Sequence, residues 1–290
     1  MERVRKPDWL KVSLASTGSF SEVKKIVEQH KLHTICTSGK CPNICDCWAR
    51  GTATLMILGE ICTRSCRFCN TLTGKPLPPD AAEPGNVAES IRLMKLTHAV
   101  ITSVDRDDLE DLGATHWAAT IRTIKTVNPG VTLETLIPDF QGIEELIALV
   151  IEARPEIISH NIETVRRLTP LVRSAAKYDI SLKVIRQIAE SGVVAKSGIM
   201  VGLGETEAEI LETMDDLREA GCSVLTIGQY LQPSRKNIAV VEYVTPEQFE
   251  KYREIGLQKG FRQVESAPLV RSSYHAEKHV TSPNSSQEGE

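Results

Sequence analysis

At 290 residues, 41% hydrophobic and 25% charged, the chain has a globular composition, and no run approaches the ~18 apolar residues that a membrane span needs. Lys and Arg number 34 against 38 for Asp and Glu, a balance of −4 that excludes the basic excess of an electrostatic nucleic-acid binder. The opening MERVRKPDWLKV has positive charge but no apolar segment behind it, so no secretory signal is expected and a cytoplasmic, reducing location is.

The first distinctive features along the chain are cysteines: seven of the eight lie between Cys36 and Cys69. In a reducing compartment such clustering favours metal or cofactor ligation over disulfides. From residue 53 onwards β-rich runs alternate with helical ones. ATLMILGE (53–60) predicts a strand, NVAESIRLMKL (86–96) a helix, HAVITSV (98–104) a strand and THWAATIRTIKTV (115–127) a helix. The pattern continues with strand VTLETLI (131–137), helix GIEELIALVIEA (142–153), strand EIISHNI (156–162) and helix SLKVIRQIAES (181–191). It closes with strand KSGIMVGLG (196–204), helix TEAEILETMDDLREAG (206–221) and strand SVLTIGQYL (223–231). Thr206 with Glu209, and Thr245 with Gln248, have the spacing of capping boxes, and Pro246 suits a first helical position.

Six strands separated by helices imply a parallel sheet, because parallel neighbours need crossovers of this length. A doubly wound sheet would also satisfy the alternation, but no Gly-x-Gly-x-x-Gly follows the first strand. The reading is therefore an α/β fold, a partial (βα)6 TIM-like barrel whose N- and C-terminal extensions cover the barrel mouth. The expected segments are an extension over 1–50, the barrel over 51–260, a second extension over 261–278 and a disordered polar tail over 279–290. Chemistry in such barrels gathers at the carboxyl ends of the strands. Polar residues recur there: Ser103 and Asp105, Glu134, His160 with Asn161 and Glu163, Gly202 to Glu205, and Gln229. Each alone reads as an ordinary loop residue or cap; their convergence is the signal.

Cys62, Cys66 and Cys69 follow the first predicted strand with the spacing C-x3-C-x2-C. A structural zinc wants four closed ligands, whereas here Arg64 and Arg67 are interleaved and no histidine is near. Three thiolates on one tight loop suit three irons of a cubane whose fourth iron stays open. This motif, with Phe68 before its last cysteine, resembles the radical S-adenosylmethionine superfamily. The resemblance implies a 4Fe-4S cluster on Cys62, Cys66 and Cys69, whose open iron chelates S-adenosylmethionine and cleaves it to a 5′-deoxyadenosyl radical. GIMVGLGE (198–205) is similar to the superfamily's glycine-containing strand near the adenine.

Cys36, Cys41 and Cys47 are spaced C-x4-C-x5-C with Cys45 between, and spacing alone equally allows the trio Cys36, Cys41 and Cys45. Near the other end stands VRSSYHA (270–276), whose two serines would by themselves read as a turn. Together with KPDWLK, ITSVDRDDL, SHNIETV and VGLGE, these segments resemble the lipoyl synthase family. That resemblance implies an auxiliary 4Fe-4S cluster held by Cys36, Cys41, Cys47 and Ser273, with Ser272 the alternative and Cys45 an additional free thiol. It implies insertion of two sulfur atoms, at carbons 6 and 8 of an octanoyl chain on a lysine of a lipoyl carrier domain or glycine-cleavage H protein. Ser273 would be the catalytic ligand that detaches, being a hard oxygen on a sulfide-bridged iron. The implied partners also include an electron donor such as ferredoxin or flavodoxin and an iron–sulfur carrier for cluster repair, with neither nucleic acid nor membrane.

On the same resemblance Ser103, Asp105, Glu134, Asn161, Glu163, Arg173, Gly202 and Glu205 are candidate contacts to S-adenosylmethionine or the substrate's peptide. Arg173 reads equally as a solvated helix residue, Asp107 and Asp108 as caps of a helix start, and His98, His116 and His160 as structural. A biotin-synthase-like or methylthiolating enzyme would insert sulfur without the distant RSSY. A non-enzymatic iron–sulfur or zinc protein would not need polar residues at successive strand ends.

Overall fold

The computed structural model describes residues 5–11, 18–30, 32–49, 53–274 and 276–279. Its elements run α1 (Gly18–Gln29), β1 (His33–Thr34), α2 (Ile35–Ser38), α3 (Ile44–Ala49), β2 (Thr54–Ile57), β3 (Ile61–Cys62), β4 (Leu72–Thr73) and α4 (Glu83–Leu93). There follow β5 (His98–Ser103), α5 (Ala114–Val127), β6 (Thr132–Leu136), α6 (Glu144–Glu152), β7 (Ile157–Ser159), α7 (Thr169–Val172) and α8 (Tyr178–Glu190). The last are β8 (Val194–Val201), α9 (Glu207–Glu219), β9 (Val224–Gln229), α10 (Pro246–Gln258) and β10 (Gln263–Ala267).

The main sheet has the order β1-β2-β5-β6-β7-β8-β9-β10. From β2 onward every pairing is parallel and every neighbour is the next long strand in the chain, so the winding never reverses. A doubly wound sheet would reverse at a switch point; the sequential order is that of the expected barrel-like fold. The strands were legible because they are buried on both faces. All four residues of β2 and all six of β9 are buried, as β-branched and aliphatic runs in parallel sheets are. The helices show the complementary stripe: in α8 the buried residues are Tyr178, Ser181, Val184, Ile185 and Ile188, recurring every three or four positions. Thr206 and Glu209 form the reciprocal capping box at the start of α9, and Thr245 caps α10 ahead of Pro246.

The sheet carries a seventh parallel strand beyond the six expected. Gln263–Ala267 pairs with β9 through five register positions, although it lies past residue 260. Its sequence QVESA offers one β-branched residue and no alternation, because only one side of it has a neighbouring strand. The N-terminal segment adds β1 antiparallel to the other edge, with His33 opposite Met56. Around β1, helices α1 and α3 form a small separate core in which Val23, Val27, Cys36, Trp48 and Ala53 are buried and the Phe20 and Trp48 rings lie 5.2 Å apart. The expected disordered tail needs one correction: His279 is buried in a 3-10 turn, its carbonyl accepting from Arg262 Nη2 at 2.5 Å. The rest of that tail, residues 280–290, lies outside the described residues. Among the described residues no helix is long and apolar enough to cross a membrane.

After β10 the chain turns back across the end of β9, and this crossing depends on Gly228. A Cβ there would lie 2.2 Å from the Val270 carbonyl oxygen and 3.1 Å from its carbon, both backbone atoms that cannot swing aside. Gly228→Ala is therefore expected to cost about 1–3 kcal/mol, the range for overpacking a filled interior. Urea unfolding curves of the two proteins test this, and a midpoint equal to that of the parent would show that residues 268–274 are free to move off the sheet.

Candidate functional site

Cys62 ends the two-residue strand β3, which pairs with β4 and so closes residues 62–73 into a short loop above the barrel. The Cys62 sulfur accepts the backbone N–H groups of Arg64 and Asp105, each at 3.4 Å. Cys69 is folded back on Cys66 by a 3.0 Å backbone bond, and its sulfur accepts the Thr71 N–H at 3.4 Å. From across the barrel, Arg67 N–H donates to the Val172 carbonyl, and Asn237 Nδ2 donates to the Cys69 carbonyl at 2.7 Å. Burial pushes the Cys62 thiol up to about 11 and the Cys66 thiol up to about 12, and the neighbouring thiols and Asp105 add to both. These two thiols are neutral near pH 7, and their ionisation needs a cation beside them.

Arg64, between two of these cysteines, is 9% exposed and binds three carboxylates. Its guanidinium makes paired hydrogen bonds of 2.7 and 2.8 Å to Asp107 and of 2.9 and 2.8 Å to Asp139, and lies 3.2 Å from Asp105. The cysteine loop is thereby tied to the segments after β5 and β6. This corrects the reading of Asp107 as a helix cap; the N-cap position of α5 is Gly113, and the side chain that meets the first N–H groups there is Asp111, which accepts from Gly113 and Thr115. Asp108 likewise holds Arg106, with two bonds of 2.9 Å.

Below the loop lies a cavity of about 740 Å³. Cys62, Cys66 and Cys69 line it, as do Ser103, Asp105, Asn161 and Glu163, which the sequence placed at strand ends, and Arg173. Asn161 Nδ2 donates to Glu163 at 3.1 Å, while its buried Oδ1 has no hydrogen-bond partner among the described residues. Burial raises the carboxyls of Asp105 and Glu163 above their ordinary range. Arg173 is buried rather than solvated, with Nη1 donating to the Ile162 carbonyl at 3.0 Å, so the helix-surface alternative is set aside. Ser103 Oγ accepts from the Trp117 indole at 3.1 Å.

Three predicted cofactor contacts are used elsewhere. Glu134 does not line this cavity: it points into the barrel interior, where both oxygens bind Lys196 at 2.7 and 2.9 Å. Glu205 folds back onto the N–H groups of Gly202 and Leu203, closing the turn before α9. Gly202, with φ +99°, packs where a Cβ would meet Gln229 and the Glu242 carbonyl. The glycine of that motif which opens space in the cavity wall is Gly198, where a Cβ would lie 2.9 Å from Asn161 Oδ1 and 2.6 Å from Thr226 Oγ1. The motif was legible; which of its glycines faced inward depended on the pleat of β8 against β9. Two of the histidines have the structural partners expected, His116 on Glu83 at 2.7 Å and His160 between the Ile137 carbonyl and Ser181 Oγ, where burial holds it down to about 4, whereas His98 borders the smaller cavity described next.

A second, smaller cavity of about 320 Å³ is lined by Cys36, Cys41, Cys47 and Ser273 together. Cys45, the alternative that spacing left open, and Ser272, the alternative to Ser273 on the resemblance, line the larger cavity and not the smaller. Cys36, Cys41 and Ser273 line both. The Cys36 thiol is pushed up to about 11 by burial; the Thr54 backbone and the Trp48 indole N–H, which has no oxygen or nitrogen partner, oppose this. Cys41 is raised too by burial, with the Arg271 guanidinium acting against it. Thr54 Oγ1 donates to Ser273 Oγ at 2.8 Å, and Asn43 Nδ2 donates to the Leu269 carbonyl at 2.7 Å, which brings the two ends of the chain together. Arg271 and Thr54 were missed as site residues; Arg271 stood in the quoted RSSY segment, whereas nothing local distinguishes Thr54.

Among the described residues no three Cys, His, Asp or Glu side chains converge on a single-ion point. Thiols spaced around a cavity rather than around one ion suit a larger sulfide-bridged group, whose ligands bind separate irons. The donor chemistry of both trios fits iron–sulfur clusters, and the unpaired Asn161 Oδ1 beside the bare Gly198 fits a polar cofactor with hydrogen-bond donors. The Arg64 clamp leads to a specific expectation. Arg64→Lys retains the charge but cannot fork to three carboxylates, so at least ~tenfold slower S-adenosylmethionine cleavage and loss of about four irons are expected on reconstitution. Iron analysis at parent level would show that the loop holds its shape without the fork.

The Radical SAM superfamily profile matches residues 56–217, a little over half of the chain. The lipoyl synthase of Parabacteroides distasonis is 73% identical over 96% of this chain and 99% of its own length. Lipoyl synthases of Porphyromonas gingivalis and Treponema denticola are 67% and 64% identical, each over 96% of this chain and 99% and 96% of their own. Among solved structures, Streptococcus suis SuiB bound to S-adenosylmethionine superposes with a TM-score of 0.59 at 11% identity, over 86% of this chain and 61% of that one. Methylornithine synthase does so with 0.55 at 10%, over 93% and 79%; these two likenesses speak to the fold alone. The chain belongs to the lipoyl synthase family of the radical SAM superfamily.

Proposed function

We propose that the protein inserts two sulfur atoms, at carbons 6 and 8, into an octanoyl chain amide-linked to a lysine of a lipoyl carrier domain or glycine-cleavage H protein. The observation that carries this reading is that Cys62, Cys66 and Cys69 share the 740 Å³ cavity with Cys36, Cys41 and Ser273, and that these last three join Cys47 around the second, smaller cavity. When bound, the two 4Fe-4S clusters supply the electron that cleaves S-adenosylmethionine and the sulfur that the product acquires.

The chain's own residues divide the remaining work. Cys62, Cys66 and Cys69 would hold the cluster that engages S-adenosylmethionine, and Asp105, Asn161, Glu163 and Arg173 would bind the polar groups of that cofactor. Cys36, Cys41, Cys47 and Ser273 would hold the sulfur-donating cluster. An unactivated methylene offers no acidic proton, and His160 offers no base: both its ring nitrogens are occupied and its ring stays neutral. Apolar walls that include Ile35, Phe68, Ile137 and Met200 exclude water and suit an alkyl chain. Positioning then governs the outcome, because a sulfur must lie within contact distance of the carbon that has lost hydrogen. In this reading the protein works in the cytoplasm with a low-potential donor such as ferredoxin or flavodoxin, and an iron–sulfur carrier restores the consumed cluster.

The test is anaerobic reconstitution followed by incubation with reductant, S-adenosylmethionine and an octanoyl-lysine peptide. About eight irons, two cubanes' worth, should be found, with 5′-deoxyadenosine released and the peptide gaining two sulfurs. Cofactor cleavage with about four irons and no sulfur gain would leave a radical enzyme without a sulfur donor and overturn the proposal. Ser273→Cys exchanges the hard oxygen for a soft thiolate. It is expected to retain about eight irons and to lower sulfur insertion at least ~tenfold while 5′-deoxyadenosine continues to form. Parent-level sulfur insertion in that variant would show that Ser273 need not detach.

A further inference from the structure

Lys196, on β8, turns its side chain into the barrel and is fully buried. An ammonium has three protons and no acceptor, and here it meets three acceptors. Glu134 binds it at 2.7 and 2.9 Å, the Ser272 carbonyl oxygen at 2.6 Å, and His279 Nδ1 at 3.0 Å. Ser159 Oγ donates to Glu134 at 2.9 Å, so the carboxylate is fixed from a second side. Neither Lys196 nor Glu134 lines either cavity, and the proposed chemistry uses neither.

Net stability is a poor account of this arrangement, because a buried ion pair commonly stabilises no more than apolar side chains of the same volume. A charged pair does offer something an apolar pair lacks, a directed bond to a chosen backbone atom. The atom chosen is the carbonyl of the residue immediately before Ser273. A second tie reaches the next residue from β2, where Thr54 Oγ1 donates to Ser273 Oγ at 2.8 Å. Upstream, residues 268–271 are held by Asn43 on the Leu269 carbonyl and by the close passage over Gly228.

We propose that Lys196, oriented by Glu134, is a positioning residue for Ser273, anchoring the Ser272 carbonyl so that the serine oxygen faces Cys36, Cys41 and Cys47 across the small cavity. The proposal rests on the reading of Ser273 as a cluster ligand. It assigns to the barrel's interior charges the task of presenting the ligand that must detach, while the backbone behind that ligand stays in place.

The double variant Lys196→Met/Glu134→Leu removes both charges and leaves no unpaired buried ion. In the cluster-free full-length protein, hydrogen–deuterium exchange of residues 270–279 is expected to quicken at least ~tenfold, with β5 to β7 unchanged. In the reconstituted protein, 5′-deoxyadenosine formation should stay within about twofold of the parent while sulfur insertion falls at least ~tenfold. If the double variant does not fold, Lys196→Arg retains the ion pair but replaces three tetrahedral donors by a planar fork, and the same two readouts apply. Parent-level exchange in residues 270–279, or parent-level sulfur insertion, in whichever variant folds overturns the proposal. Ser273→Ala separates the two readings. Full sulfur insertion in Ser273→Ala would remove the ligand assignment itself, whereas its loss there, alongside parent behaviour at Lys196, would remove only the positioning role.

Discussion

The structure is organised around the difficulty of burying sulfur donors that must become anions. Burial raises Cys36, Cys62 and Cys66 to about 11, 11 and 12, and neighbouring thiols add to each of the three. A site of this kind cannot be preformed as a set of charges; it can only be preformed as a set of positions. The fold meets that requirement by fixing backbone rather than sulfur. The 62–69 loop is tied to Val172, Asn237 and, through Arg64, to three carboxylates after β5 and β6. The first trio is fixed by the small core of α1 and α3 and by contact with the returning C-terminal segment.

Positive charge is placed beside these thiols without being spent on them. Arg173 and Arg271 act on Cys66 and Cys41 in the direction of the thiolate, opposing the larger effect of burial. Arg64, in contrast, is saturated by carboxylates and acts on the loop's shape. Because low dielectric magnifies both attraction and repulsion, separating these two uses of arginine keeps the cavity from becoming an ion-pair network that an incoming cofactor would have to break.

The sequential winding of the sheet explains why two cavities with different walls can share residues. Strand ends from β5 to β9 converge on the larger one, whereas the smaller is lined by Thr54, His98 and Val100 at the opposite end or middle of β2 and β5. Residues 270–274 run between them, so Ser273 borders both. A C-terminal segment that merely covered the mouth would reach only the first.

Much of this was legible from the amino-acid sequence alone, for physical reasons that act locally. Strands buried on both faces read as apolar runs, helices showed their stripe, and cysteines placed on short loops had to keep their spacing. The barrel, the trio of Cys62, Cys66 and Cys69 and the presence of a second cysteine group could therefore be recognised before folding was considered, while the membership of that second group stayed open on spacing. Asn161 and Glu163 stood just past a strand end and were brought to the cavity as the alternation implied, whereas Arg173 reaches it from the end of α7. What only the tertiary structure decided concerns direction and distance. Glu134 and Glu205 carry the right chemistry near the right strands, yet one points into the barrel interior and the other closes its own turn. Cys47 and Ser273, rather than Cys45 and Ser272, meet at the small cavity because α3 and the crossing over Gly228 set which side chain of each pair faces inward. Thr54 and Ser273 are 219 residues apart, and Lys196 and Ser272 are 76 apart, and no local pattern encodes that either pair will touch.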